Sequence, residues 1–357
     1  MSGRLRIAMV GLGFGSHLVP IYRAHADVAT VGLCDGNAER LQSMSRQNPG
    51  LATHASLDEV IRSSLYDAVH ICTAVDQHGP QCVQAMQAGL HCASAVPMGL
   101  TLDELTQVVA AQRQHRVNYM MMETAIYSAE LLYAKALRDR GEFGRIQYLQ
   151  GYHSQDLTGY PTVWRGFPPM WYITHALAPL LDIVDGTASR VHCLGSGVAT
   201  EGQSTAWYSQ PFPIASALFR LRDSRITAEI TRTLFDVAPY GGEGFNIWGE
   251  TKTLTTAGQS LETTLSPVLP GKQRSSSQKI PDIRLRADLL PPEMHPFSDS
   301  GHSGSHPHLI NEFISSIVQG RPPYIDAVKA ANWCAPGICA HQSMLKDGEG
   351  VAIPRFT

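Results

Sequence analysis

A glycine-rich turn between an apolar strand and a helix, Gly11-Leu12-Gly13-Phe14-Gly15-Ser16, constrains this chain more than any other segment. It follows the apolar run Leu5–Val10 and opens a helix that reaches about His25. The first glycine permits the tight turn, the second lets a pyrophosphate approach the backbone, and a small third residue, Ser16, lets helix and strand pack closely. The positive helix N-terminus then receives the phosphates. Asp35 ends the next apolar run, Val28–Cys34, and stands 24 residues after Gly11. An acid there accepts hydrogen bonds from the adenosine ribose hydroxyls. Its charge repels a 2′-phosphate, so the expected cofactor is NAD; Arg40, placed to reach round to that phosphate, keeps NADP as the alternative.

The rhythm of the first 125 residues fits this turn. Asn37–Arg46 reads as helix, and Ser56-Leu57-Asp58-Glu59 has the spacing of a capping box at another helix start. Asp67–Cys72 is a third core strand, Gln81–Ala88 a helix and His91–Ala93 a short strand. Thr101-Leu102-Asp103-Glu104 repeats the capping box before a helix to about His115, and Val117–Met122 closes the series. Strands alternating with helices imply parallel pairing in a doubly wound sheet, with 1–125 as a dinucleotide-binding domain.

The texture then changes. After a helix over Ala129–Arg140 come segments rich in β-branched and aromatic residues: Ile146–His153, Arg190–Gly195, Ala215–Leu221, Arg225–Phe235 and Gly244–Trp248. An aromatic loop and a helix lie between them, over Tyr160–Val184. Runs of strands with few helices predict a mostly antiparallel second domain, 126–357. Residues 256–307 are rich in Ser, Pro and Gly and too long for an ordinary connection. Helical patterns at Leu309–Gln319 and Ala327–Leu345 follow.

Composition excludes several classes. Hydrophobic residues at 43% and charged ones at 17% rule out wholesale disorder. A net charge of −3 with scattered cations leaves no basic stripe for nucleic acid or an anionic membrane. No apolar run is long enough to span a bilayer, and the start lacks a signal-peptide core, so the expected location is cytoplasmic. The seven cysteines never fall as Cys-x-x-Cys, which argues against a disulfide scaffold or a zinc knuckle. His302, His306 and His308 have no Cys or acidic ligand at supporting spacing, so no metal is expected there.

The turn with Asp35, then Asp67-x-Val69-x-Ile71-x-Thr73, His78, Ala88-Gly89-x-His91, Pro97 and Gly144-x-Ile146, resembles the Gfo/Idh/MocA oxidoreductases over nearly the whole chain. The resemblance implies a Rossmann domain followed by an α/β domain with a large, mostly antiparallel sheet, the active site lying between them. It also implies that Leu12, Phe14, Gly15, Thr73, His78 and Pro97 join Gly11, Gly13, Ser16, Asp35 and Arg40 around NAD, and that the chain pairs into a homodimer or homotetramer. Where that family carries Glu-Lys-Pro, this chain reads Ala95-Val96-Pro97, and Val96 cannot move a proton. In the helix where the family shows Asp-x-Gly-x-His-x-x-Asp, aligning the last acid with Asp182 puts His175 and Pro179 at the two preceding functional positions.

Thr174-His175-Ala176-Leu177-Ala178-Pro179 and Met121-Met122-Glu123 instead resemble segments of the NAD-dependent α-N-acetylgalactosaminidases of that superfamily. The resemblance implies hydrolysis by transient oxidation at C3, loss of the C2 proton, elimination at C1, water addition and re-reduction. Where those enzymes carry a Tyr-x-His-Asp-Leu segment, this chain has His153-Ser154-Gln155-Asp156-Leu157. The candidate catalytic groups are therefore His153, His175, Glu123 and Tyr127, the last equally readable as packing. Trp164, Arg165, Trp171 and Tyr172 offer aromatic faces and a cation to a sugar or glycoside, or pack the fold. A plain sugar dehydrogenase lacking the family lysine and a non-catalytic NAD-bound sensor are the competing readings.

Overall fold

The computed structural model describes residues 3–157, 160, 162–200, 208, 211–234, 242–256, 263–268, 277–280 and 287–357. They form two compact units. Residues up to 127, together with 287–331, make the first; 128–280 and 332–355 make the second. The chain thus returns from the second unit to the first, whereas the sequence reading divided it once, at residue 126.

The first unit is a parallel six-stranded sheet: β1 (Leu5–Val10), β2 (Val28–Cys34), β3 (Thr53–His54), β4 (Ala68–Ile71), β5 (His91–Ser94) and β6 (Tyr119–Met121), in the order β3-β2-β1-β4-β5-β6. The order reverses beside β1, so the turn leaving β1 stands at the switch point where doubly wound sheets take ligands. Both capping boxes form. Ser56 Oγ and Thr101 Oγ1 accept from the amides of Glu59 and Glu104 at 3.2 and 3.1 Å, and the two carboxylates accept in return from Ala55 N and Leu100 N. The predicted first helix is broken: Gly15–His17 is a 3-10 turn, and α1 proper is Val19–Ala24, opened by Pro20. The helix expected from Gln81 starts earlier, over His78–Gln87.

The second unit is built on a nine-stranded sheet among the described residues. Its strands are β7 (Ile146–Ser154), β8 (Ala188–Ser196), β9 (Ile214–Leu221), β10 (Thr227–Thr233), β11 (Gly242–Gly249), β12 (Lys252–Thr255), β13 (Thr264–Pro267), β14 (Gln278–Lys279) and β15 (Val351–Ala352). The order is β14-β13-β12-β11-β7-β10-β9-β8-β15, antiparallel throughout except for the central pair of β7 and β10. The strands β12 to β15 have no counterpart in the sequence reading; two of them lie within 256–307, a segment otherwise only partly described. Of the predicted strand Arg225–Phe235, the last residue falls outside the described residues, as do Ser275 and Ser276 of the serine run.

The helix over Thr174–Ile183 (α7 below) covers the sheet and is buried along its whole length. Asp182 on it forms a buried ion pair with Lys135 of the helix Ala129–Asp139, so this acid ties two helices together. No described helix is long and apolar enough to cross a membrane.

Three buried histidines make the fold acid-sensitive. Burial lowers the pKa of His70 to about 3, and those of His306 and His341 to about 4. An unfolded chain takes up protons on all three below about pH 6.5 while the native state does not, so stability is full above that pH and falls as pH drops through 6 and 5. Each histidine should remove about 1.4 kcal/mol per pH unit in that window. Urea unfolding at pH 7 and at pH 5 measures this; equal midpoints would contradict the buried, neutral state of the three rings.

Candidate functional site

In the first unit the glycine turn has the geometry of a phosphate cradle. Gly11 has φ +93°, and a Cβ there would lie 2.3 Å from the carbonyl oxygen of Cys72, so only glycine fits. Gly13 has nothing within 4 Å of where its Cβ would be, leaving its backbone open to a ligand. The close-packing role expected of Ser16 belongs to Gly15. A Cβ on Gly15 would sit 2.7 Å from Met9 Sδ, whereas half-exposed Ser16 bonds back to Gly13 O at 3.0 Å.

Asp35 is buried at the end of β2. Its carboxylate accepts from Leu12 N at 2.7 Å and Asn37 N at 2.8 Å, so both the turn and the next helix orient it. The Arg40 guanidinium, whose side chain is 47% exposed, closes over it at 3.1 Å. A ribose diol reaching this carboxylate displaces a mobile surface cation rather than a packed one. These residues fit a dinucleotide.

His78 links the loops after β4 and β5. Its Nδ1 lies 2.8 Å from Pro97 O and its Nε2 3.2 Å from Thr73 O, with Val96–Pro97 a cis peptide. Burial holds its pKa below the ordinary range against the pull of both carbonyls. A neutral imidazole has one N–H, and the nearer oxygen, Pro97 O, takes it. Thr73 Oγ1 donates to Gln81 Oε1 at 2.7 Å. Thr73, His78 and Pro97 are therefore brought together, and Val96 is buried beside them.

Glu123 is fully buried after β6 and accepts from Ala125 N at 3.0 Å. Tyr127 stacks on His308, ring centroids 5.9 Å apart and planes 13° from parallel. Exposed Phe14 meets His302 and His306 edge-on, and those two imidazoles face each other at 3.1 Å. The C-terminal histidines thus belong to the unit of the glycine turn.

The second unit carries a different site. Strand register places Glu243, His153 and Arg232 directly opposite one another on β11, β7 and β10. Gly151, two residues before His153 and on the same face, meets α7: a Cβ there would be 2.5 Å from Ala176 O. That close approach sets His175 over His153, ring centroids 5.1 Å apart and edge to face. His175 Nδ1 lies 3.8 Å from Glu243 Oε2, and its Nε2 lies 3.3 Å from Tyr172 Oη.

Arg232 has no exposed surface. It donates through Nε to Tyr172 O at 2.9 Å, through Nη1 to His153 O at 3.0 Å and to Thr233 O, and through Nη2 to Gln155 Oε1 at 3.0 Å. Burial lowers its pKa to about 9, with Tyr172 and Glu243 acting the other way.

The aromatic loop divides. Trp164 packs on Tyr172 at 5.3 Å, beside the histidine pair. Trp171 packs instead against Phe167, Tyr208 and His341, and Arg165 is exposed. Of the sequence candidates, His153, His175, Tyr172 and Trp164 come together in the second unit; Glu123 and Tyr127 lie in the first, with the cradle. Glu243 and Arg232 were missed. Their only signal is alternation within strands whose partners sequence spacing does not reveal.

Residues 5–123 match the family model described as "Oxidoreductase family, NAD-binding Rossmann fold", GFO_IDH_MocA. The whole chain is similar to a glycosyl hydrolase family 109 protein of Saccharopolyspora erythraea, 24% identical over 392 residues that cover 99% of this chain and 83% of the relative. It is equally similar to the alpha-N-acetylgalactosaminidase of Bacteroides fragilis, 24% identical over 402 residues that cover 99% and 92%. Among solved structures, levoglucosan dehydrogenase in complex with NADH and L-sorbose superposes with a TM-score of 0.82 at 16% identity, covering 99% of this chain and 100% of the other. The WlbA dehydrogenase from Bordetella pertussis, in complex with NADH and UDP-GlcNAcA, gives 0.75 at 20%, covering 99% of each. These structural likenesses show the shared fold.

Gly151→Ala tests how the histidine pair is held. The methyl group has to push α7 off the sheet, at a cost of about 1–3 kcal/mol. The urea midpoint should fall accordingly, and an unchanged midpoint would contradict the close approach of α7.

Proposed function

The chain belongs to the Gfo/Idh/MocA oxidoreductase family, and on that premise we propose that it binds NAD and works at a sugar ring carbon, C3, to cleave a glycosidic bond. NAD, when bound, would supply the acceptor for the C3 hydride while the C3 hydroxyl proton passes to solvent, and both would return in the closing reduction. Gly11, Gly13 and Asp35 would hold it, Asp35 favouring the unphosphorylated ribose.

The observation that carries the reading is the imidazole pair of His153 and His175, on a sheet and helix packed too closely to drift, in a chain with Val96 where family dehydrogenases carry lysine. Oxidation at C3 makes the C2 proton acidic. One imidazole takes that proton as the C1 substituent leaves, and the leaving oxygen takes a proton from its acid partner. Water then adds at C1 while C2 regains a proton, and the ketone is reduced. An imidazole can both take up and give back a proton, so a pair of them suits two successive transfers. Tyr172, within reach of His175, adds a hydroxyl–imidazole link, and Trp164 beside it offers a face to the sugar ring.

The similarity to glycosyl hydrolase family 109 proteins over 99% of the chain supports cleavage over simple oxidation.

A panel of glycosides with synthetic leaving groups, deuterated at C2, is the test. The label should pass to solvent during turnover. His153→Ala and His175→Ala should each lower turnover by roughly 10²–10⁴-fold, and Val96→Lys should not raise it. Hydrolysis with the C2 label fully retained would overturn the proposal. Net NADH release from a free sugar would move the chain to the dehydrogenases.

We further propose that a second copy covers the sheet face opposite α7, which presents Leu194, Leu218 and Trp248, each about half exposed. Light scattering at micromolar concentration should report a dimer or tetramer; a monomer would refute it.

A further inference from the structure

The second unit's polar cluster has a property that proton transfer does not require. One nitrogen of each imidazole and one carboxylate oxygen, from His153, His175 and Glu243, lie within 4.8 Å of one another. Sequence reasoning looked for a metal only among His302, His306 and His308. It had no way to see these three, which come from β7, α7 and β11.

Two imidazoles and one carboxylate are the donor set of open zinc sites, in which three protein ligands leave a further position for water or substrate. Metal–ligand bonds of about 2.0–2.2 Å put ligand atoms roughly 3.3 Å apart. The present spread is wider, and the 3.8 Å gap between His175 Nδ1 and Glu243 Oε2 is the one that has to close. Glu243 is the partly exposed member, with a side chain 29% exposed, so it can move in while the two buried rings stay. A histidine bound through one nitrogen is oriented by a partner on the other. Tyr172 Oη stands at His175 Nε2 for this. Arg232, in the same row, adds a buried positive charge that weakens cation binding relative to a site without it. Imidazole donors select a borderline ion such as Zn²⁺ or Co²⁺ over the oxygen-seeking Mg²⁺ and Ca²⁺.

We propose that His153, His175 and Glu243 form a site for a divalent transition-metal ion, and that the bound ion blocks the proton-transfer pair. The site itself stands on geometry alone; the block rests on the reaction proposed above. No bond to substrate is made or broken by the ion: it takes the lone pairs that would otherwise receive protons.

The experiment is a Co²⁺ titration of the full chain after chelator treatment, followed by visible d–d absorption. One Co²⁺ per chain should bind, displaced by Zn²⁺ and not by an equal concentration of Mg²⁺. Glu243→Gln, at a partly exposed position, should fold and bind at least tenfold more weakly, and His153→Gln should lose the band. A titration without a saturable band, or one unchanged in both variants, would overturn the site. Zn²⁺ should then stop turnover on a cleaved glycoside, and a chelator should restore it. Zn²⁺ bound at this site with turnover intact would refute the block and the proton-transfer role of the pair together. Because the titration needs no turnover, failure of the proposed reaction does not decide the fate of the site.

Discussion

The arrangement of the second unit depends on one buried cation. Taking a guanidinium out of water costs several kcal/mol, and among the described residues Arg232 offsets that cost through hydrogen bonds to carbonyl and amide oxygens. Those oxygens come from the end of β7, the end of β10 and the turn that carries Tyr172. A planar donor fork of fixed shape can satisfy three segments only in one mutual position. His153 and Tyr172 are thereby fixed through their own backbones, leaving their side chains for other work. Gly151 completes the arrangement from the other direction by letting α7 bring His175 down onto the same face.

The two units divide the chemistry along physical lines. The cradle is made of backbone: a glycine turn with positive φ, an open glycine, and a buried acid oriented by two amides. Such a site recognises phosphates and a ribose whatever the attached substrate. The histidine cluster is made of side chains on a sheet and a helix, and side chains can change without disturbing the strands. Histidine at 153 and a proline inside α7 are tolerated because strand register and helix packing rest on neighbouring residues.

The fold was legible in the sequence wherever structure is local. Strand–helix alternation, two capping boxes and the glycine turn are all short-range patterns, and each forms. Short edge strands such as β3, β14 and β15, two residues each, carry no period to detect. Of the candidate cluster, the sequence shows His153 and His175, single residues with unusual chemistry against an apolar background. Glu243 could not be found the same way: a lone acid between Gly242 and Gly244 looks like a surface turn until β11 is paired with β7. Arg232 looks like an outward strand residue for the same reason. Ser16 was given the part of Gly15 because a motif fixes spacing, whereas packing against Met9 is a tertiary fact.

Asp182 shows how far a motif alignment can be trusted. It occupies the acid position at which the family's helix pattern ends, yet in this chain it is buried and paired with Lys135. The carboxylate is thus engaged in holding two helices together rather than presented to a substrate. In the reaction proposed above, proton transfer rests instead on groups that can change charge without breaking the fold. Imidazoles beside a partly exposed carboxylate meet that condition: Glu243 can shift or rehydrate as the charge on the rings changes, while Arg232 keeps the strands beneath them in register. The same combination of two fixed rings and one movable carboxylate also lets the cluster accept a metal ion in place of a proton.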